Sequence, residues 1–81
     1  MNDNNKPFLI EKENFTCIVG ELIRKYRENE NITQEALGDL TDCDRTYIGS
    51  IERGEKNASF YVIYKILLAL KIEPSDFFNN I

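Results

Sequence analysis

The fold is decided by the run Thr33-Gln34-Glu35-Ala36-Leu37-Gly38-Asp39-Leu40-Thr41-Asp42-Cys43-Asp44-Arg45-Thr46-Tyr47-Ile48-Gly49-Ser50-Ile51-Glu52-Arg53-Gly54. Thr33 and Asp44 carry the short oxygen side chains that suit a helix N-cap. Behind Thr33 a short helix is predicted from Gln34 to about Leu40, with Leu37 turned inward. Behind Asp44 a second one runs from Arg45 to Arg53, burying Ile48, Ile51 and the stem of Glu52. Gly54 then stands at the position that ends a helix in the left-handed conformation. Between the two helices Thr41-Asp42-Cys43 is a tight connection. There Asp42 tolerates a positive φ and Cys43 turns back toward the core.

Working outward, apolar residues recur at helical spacing at Phe15, Ile18, Val19, Leu22, Ile23 and Tyr26. They predict a helix from an Asn14 cap to about Asn29, followed by a turn through Asn31 that returns Ile32 inward. Ser59 caps a strongly apolar helix through about Leu70, and Pro74 suits the first position of a short last helix to Phe78. With no strand alternation, the fold class is all-α, a compact bundle of about five helices. Residues 1–13 read as a polar arm interrupted by Phe8-Leu9-Ile10, which are expected to dock on the body. Residues 14–81 read as the domain proper.

Two short helices joined by a tight turn make a helix-turn-helix unit, whose second helix enters the DNA major groove. Gly38 is the small residue expected where the two helices cross. Arg45, Thr46, Gly49 and Ser50 are expected on the outward side of the second helix, opposite Ile48 and Ile51.

The stretch from Gly20 to Phe77 resembles the lambda-repressor/Cro (Xre) family of helix-turn-helix domains. The resemblance is carried by Gly20-Glu21-Leu22-Ile23-Arg24 with Arg27, by Ile32-Thr33-Gln34-Glu35-Ala36-Leu37, and above all by Tyr47-Ile48-Gly49-Ser50-Ile51-Glu52-Arg53-Gly54. The last contains the family's Ile-x-x-Ile-Glu-x-Gly signature. Asp44-Arg45-Thr46-Tyr47-Ile48 followed by Ile51-Glu52-Arg53 is similar to the controller proteins of restriction–modification operons. This implies a sequence-specific, dimeric transcriptional regulator on a palindromic operator. A phage-type or developmental repressor is an alternative within the family, and a protein-interaction module that has lost DNA binding is another from a different class.

The resemblance assigns roles by position. Arg45 is implied as chief base reader, because a guanidinium bonds guanine O6 and N7 together. Thr46, Ser50 and Tyr47 are implied as further base contacts. Thr33 and Gln34, at a helix N-terminus, and Lys56 and Asn57, in the loop after Gly54, are implied as phosphate contacts. Arg27 and Glu52 match a buried structural ion pair. The turn commonly has glycine where Asp42 stands, and the first helix of the pair often has alanine at Gly38.

Composition bounds these readings. The 81 residues suffice for one domain, and the 42% hydrophobic, 30% charged balance is that of a folded protein. The formal net charge of −4 weakens long-range attraction to DNA, so contacts must be local. Asp39, Asp42 and Asp44 crowd the DNA side, and Asp44 is a potential competitor for the Arg45 guanidinium. Cys17 and Cys43 lie apart and there is no histidine, so they read as reduced apolar side chains; no metal and no cofactor are expected. Without a membrane-spanning run or a signal-peptide pattern, a cytoplasmic location is expected. No nucleophile has a visible base, so an enzyme is not expected, nor is a small-molecule substrate.

The apolar set Ile63, Ile66, Leu67, Leu70, Ile72, Phe77 and Phe78 reads mostly as core, yet it exceeds what one small domain hides, since Phe60, Tyr61, Tyr64 and Ile81 add to it. Such a surplus marks association, and a symmetric homodimer led by Phe77, Phe78 and Ile81 is expected. Two-fold symmetry places the recognition helices about one DNA turn apart.

Overall fold

The computed structural model describes residues 10–81. They form α1 (Lys12–Asn29), α2 (Gln34–Thr41), α3 (Arg45–Glu52), α4 (Phe60–Ala69) and α5 (Pro74–Phe78), and the described residues contain no strand. The all-α expectation of about five helices agrees with this. Phe8 and Leu9, expected to dock on the body, lie outside the described residues, while Ile10 is exposed.

The helix starts follow from their caps. Thr33 Oγ1 accepts from Ala36 N–H at 3.0 Å, Asp44 Oδ1 from Thr46 N–H at 3.0 Å, and Ser59 Oγ from Val62 N–H at 3.2 Å. Each satisfies one of the donors left over at a helix start. Asn14 is not a cap: α1 begins at Lys12, three residues before the start an Asn14 cap implies, and its N-cap Glu11 makes no side-chain capping bond. Without a strong cap, the start of α1 is set by where its amphipathic face finds the core, a property of the packing.

Four helices end in one way. At each end a residue sits in the left-handed region: Asn31 (φ 57°), Asp42 (φ 57°), Gly54 (φ 76°) and Lys71 (φ 60°). The next residue donates its N–H back into the helix, Ile32 to the Arg27 carbonyl, Cys43 to Gly38, Glu55 to Ser50 and Ile72 to Leu67. This is the Schellman arrangement, which satisfies orphan carbonyls and reverses the chain. The sequence assigned the left-handed role correctly to Asp42 and Gly54; at Lys71 it gives no sign of it.

The core draws on all five helices: Val19 and Ile23 from α1, Leu37 from α2, Ile48 and Ile51 from α3, Ile63, Ile66 and Leu67 from α4 and Phe77 from α5, with Leu70 at the α4 C-cap. The crossing of α1 over α3 depends on Gly20. A Cβ there would overlap the Ile51 carbonyl oxygen and come within 2.8 Å of the Glu52 carbonyl oxygen. Gly38 is crowded too, although by the turn: its Cβ would lie 2.5 Å from the Cys43 carbonyl oxygen. An alanine at that place would force this turn to move.

One expectation is overturned here. Phe77 is 0% exposed, so it is a core residue of its own chain and cannot lead an interface. Its ring packs on Tyr26 (centroids 6.2 Å apart) and meets Phe78 edge to face (5.3 Å). The last helix sets this ring into the shared core, against Tyr26 of α1. Phe78 remains exposed and Ile81 half-buried. Apart from Ile10, Leu40 and Phe78, the exposed large apolar side chains among the described residues lie on α4. Tyr61, Tyr64 and Leu68 recur at i, i+3 and i+7 on one outward stripe, with Phe60 beside them.

Candidate nucleic-acid interface

The site is built on the joint between α2 and α3. The buried pair beneath it fixes their relation to α1. Arg27 Nε donates to Glu52 Oε2 at 2.6 Å and Nη2 to Glu52 Oε1 at 2.9 Å, a fork-on-fork contact. Arg27 Nη1 also donates to the Ile32 carbonyl at 2.8 Å, tying in the α1–α2 turn. The side chains are only 11% and 2% exposed. The Glu52 hydrogen bond is the main cause holding the Arg27 pKa above its ordinary value, against desolvation. Gln34 Nε2 adds a third donor to the same carboxylate, at 3.0 Å from Oε1. One buried carboxylate thereby locks α1, α2 and α3 together.

Above this lock runs an open cleft lined by Arg27, Thr33, Gln34, Glu35, Arg45, Thr46, Gly49 and Arg53. Thr33 spends its acceptor on capping α2, which leaves its O–H and the first N–H groups of that helix for an outside anion. Gln34 is half-buried and braces α3 through Glu52. Arg45 and Thr46 are exposed in the first turn of α3. Asp44 does not hold the Arg45 guanidinium: its carboxylate caps α3, and among the described residues Arg45 makes no salt bridge. Tyr47 is half-buried and packs at the edge of the core.

Three other expected positions fall elsewhere. Ser50 was expected on the outward side, but it is only 7% exposed. Its hydroxyl donates to the Tyr47 carbonyl at 2.7 Å, and the chain leaving α3 comes back to it through Glu55 N–H. The sharp reversal after Gly54 covers a residue that a free helix would expose. Lys56 and Asn57 are exposed, yet they line a separate apolar depression with Phe15, Ala58, Phe60 and Phe78 rather than the α2–α3 cleft.

Arg53 was missed. It lines the cleft, and the signal was available, because Arg45, Gly49 and Arg53 are spaced i, i+4, i+8 on one face of α3. Its side chain pairs with Glu55, at 2.9 Å from Nε to Oε2 and 3.1 Å from Nη2 to Oε1. That pairing raises the Arg53 pKa and lowers that of Glu55.

With this geometry the chain can be set beside known proteins. A family model described as helix-turn-helix matches residues 23–77. Control protein C.BamHI of Bacillus amyloliquefaciens is 41% identical over 64 residues, 78% of this chain and 79% of that protein. The crystal structure of the restriction–modification controller protein C.AhdI from Aeromonas hydrophila superposes with a TM-score of 0.75 at 36% identity, over 79% of this chain and 97% of that one. The controller protein C.Esp1396I, solved as a tetramer on its natural 35 base-pair operator, gives a TM-score of 0.74 at 33% identity, over 79% of this chain and 84% of that one. Joined with the Arg27–Glu52 lock and the α2–α3 geometry, these matches show that the chain belongs to the lambda-repressor/Cro (Xre) helix-turn-helix family, where it is most like the controller proteins of restriction–modification systems.

Proposed function

We propose that the protein is a sequence-specific transcriptional regulator that binds a palindromic operator as a homodimer and controls the genes of a restriction–modification system. The observation that carries this reading is the first turn of α3. Arg45 and Thr46 project there from a helix whose other side is locked by Ile48, Ile51 and Glu52, beside the capped start of α2. Arg45 reads a base edge in the major groove, with Thr46 beside it and Tyr47 at the margin. Thr33 and Gln34 take a backbone phosphate. Ser50 drops out of the reading set because it is buried. Lys56 and Asn57 reach phosphate only if the DNA passes over the loop after α3.

The protein acts by binding rather than by catalysis, and works in the cytoplasm, where the operator is. No helix among the described residues is long and apolar enough to cross a membrane. The second copy covers the α4 stripe of Tyr61, Tyr64 and Leu68, with Phe60 and Phe78 at its border, since most of the exposed large apolar side chains gather there. The C.Esp1396I operator spans 35 base pairs. At ~10 base pairs between the half-sites of one dimer, that length has room for two dimers, and we propose the same pairing here.

Selection of preferred duplexes from a random pool, followed by anisotropy titration, tests the reading. A palindrome should emerge, and Arg45→Ala should reduce discrimination against a changed base pair by about 1–3 kcal/mol. Unchanged operator discrimination in Arg45→Ala would remove Arg45 as the reader. The net charge of −4 favours one rival, a protein-interaction module. Absence of duplex binding at low salt would establish that rival instead.

A further inference from the structure

Glu55 stands where the other helix ends place packing residues. The residues after the left-handed positions of α1, α2 and α4 are Ile32, Cys43 and Ile72, all packed against the core. The same place after α3 holds Glu55, which is exposed. Its backbone is pinned, because Gly54 N–H bonds the Ile51 carbonyl and Glu55 N–H the Ser50 carbonyl. The Glu55 carboxylate therefore stays beside Arg53, the residue that caps the same helix end.

The contact has the form of anion recognition. Two guanidinium donors, Nε and Nη2, meet the two carboxylate oxygens at 2.9 and 3.1 Å, the fork geometry that arginine also uses on phosphate. Gly49 keeps the approach open: a Cβ there would lie 3.1 Å from Arg53 Nη1 and 3.4 Å from Gln34 Oε1. Arg53 shares the cleft with Thr33, Gln34 and Arg45, the residues proposed above to meet DNA. Neither partner is needed for packing, since the two side chains are 57% and 56% exposed.

Resting on the DNA-binding reading, we infer that Arg53 is a phosphate contact and that Glu55 is its built-in competitor, so that binding exchanges the carboxylate for a DNA phosphate. The exchange takes place at the backbone, so it lowers affinity for operator and unrelated duplex alike and leaves their ratio unchanged. Glu55 is held in its charged form by Arg53, so the competitor is present throughout the neutral range. In an acidic protein this sets how tightly any DNA is held without altering which sequence is preferred.

The test is anisotropy titration of the selected operator and of an unrelated duplex, across a sodium chloride series, with wild type, Glu55→Gln, Arg53→Gln and the double variant. Freeing Arg53 from an exposed pair should tighten Glu55→Gln by roughly two- to five-fold on both duplexes. Arg53→Gln should weaken both and reduce the slope of log K against log salt by about 0.9. In the Arg53→Gln background the Glu55→Gln gain should shrink to a small residue from net charge. A gain of equal size in both backgrounds overturns the inference, as does no gain at all; Glu55→Ala repeats the comparison with a smaller side chain. If wild type binds no duplex, the DNA-binding reading falls, an outcome distinct from either of these.

Discussion

Replacing Arg27 by alanine leaves the Glu52 carboxylate, 2% exposed, with a single donor, Gln34 Nε2 at 3.0 Å. Two charge-assisted bonds, of 2.6 and 2.9 Å, vanish together, along with the tether to the Ile32 carbonyl. Removing one partner of a buried ion pair costs about 3–5 kcal/mol, mostly from the stranded charge. A domain of 81 residues has a total stability of about 4–12 kcal/mol. Arg27→Ala is therefore expected at or near the unfolding threshold, with Tm lowered by about 15–30 °C. Glu52→Ala should cost somewhat less, because the guanidinium it strands is more exposed and keeps the Ile32 carbonyl. The pair Arg27→Met with Glu52→Leu strands no charge, so the double variant should be more stable than either single one. The assay is urea unfolding followed by circular dichroism, at one fixed protein concentration because dimerisation contributes to apparent stability. Single costs below about 1 kcal/mol that add in the double variant would refute the reasoning, since they would mean that water solvates the pair.

Other perturbations test the fold and the surfaces. Gly20→Ala should destabilise by about 1–3 kcal/mol or more, because its Cβ meets backbone carbonyls that cannot rotate away; thermal melts measure it. Lys71→Gly should raise stability by up to ~1 kcal/mol, since a lysine at φ 60° pays a left-handed penalty that exceeds the added freedom of glycine in the unfolded chain. Tyr64→Glu with Leu68→Glu should give folded monomers by sedimentation and weaken operator binding, while Phe77→Ala should lose about 3–5 kcal/mol as a core cavity rather than a lost interface. The Glu55 carboxyl should titrate below the usual glutamate range by NMR, and its pairing with Arg53, present above that range, should be lost as pH falls through the depressed pKa.

The local grammar of the chain was legible. Thr33, Asp44 and Ser59 cap the helices expected of them, and Asp42 and Gly54 take the left-handed positions assigned to them. These features depend on a few neighbouring residues, so one sequence carries enough information. The resemblance supplied the ion pair of Arg27 and Glu52, which are 25 positions apart and beyond any local pattern.

Burial at the margins behaved differently. Ser50 and Phe77 sit at the edges of helical faces, where whether a residue is covered depends on what arrives from elsewhere in the chain. For Ser50 it is the chain turning back after Gly54; for Phe77 it is the Tyr26 ring of α1. The sequence by itself determined the helices, the capped ends at Thr33, Asp44 and Ser59, the left-handed ends at Asp42 and Gly54, and the recognition element, because hydrogen bonds within a few residues encode them; the start of α1 and the end at Lys71 were not among them. Only the tertiary structure decided which aromatic residues are core and which are surface, and that the Arg53 guanidinium already holds an anion. Those outcomes come from the competition of distant side chains for the same space and the same charge.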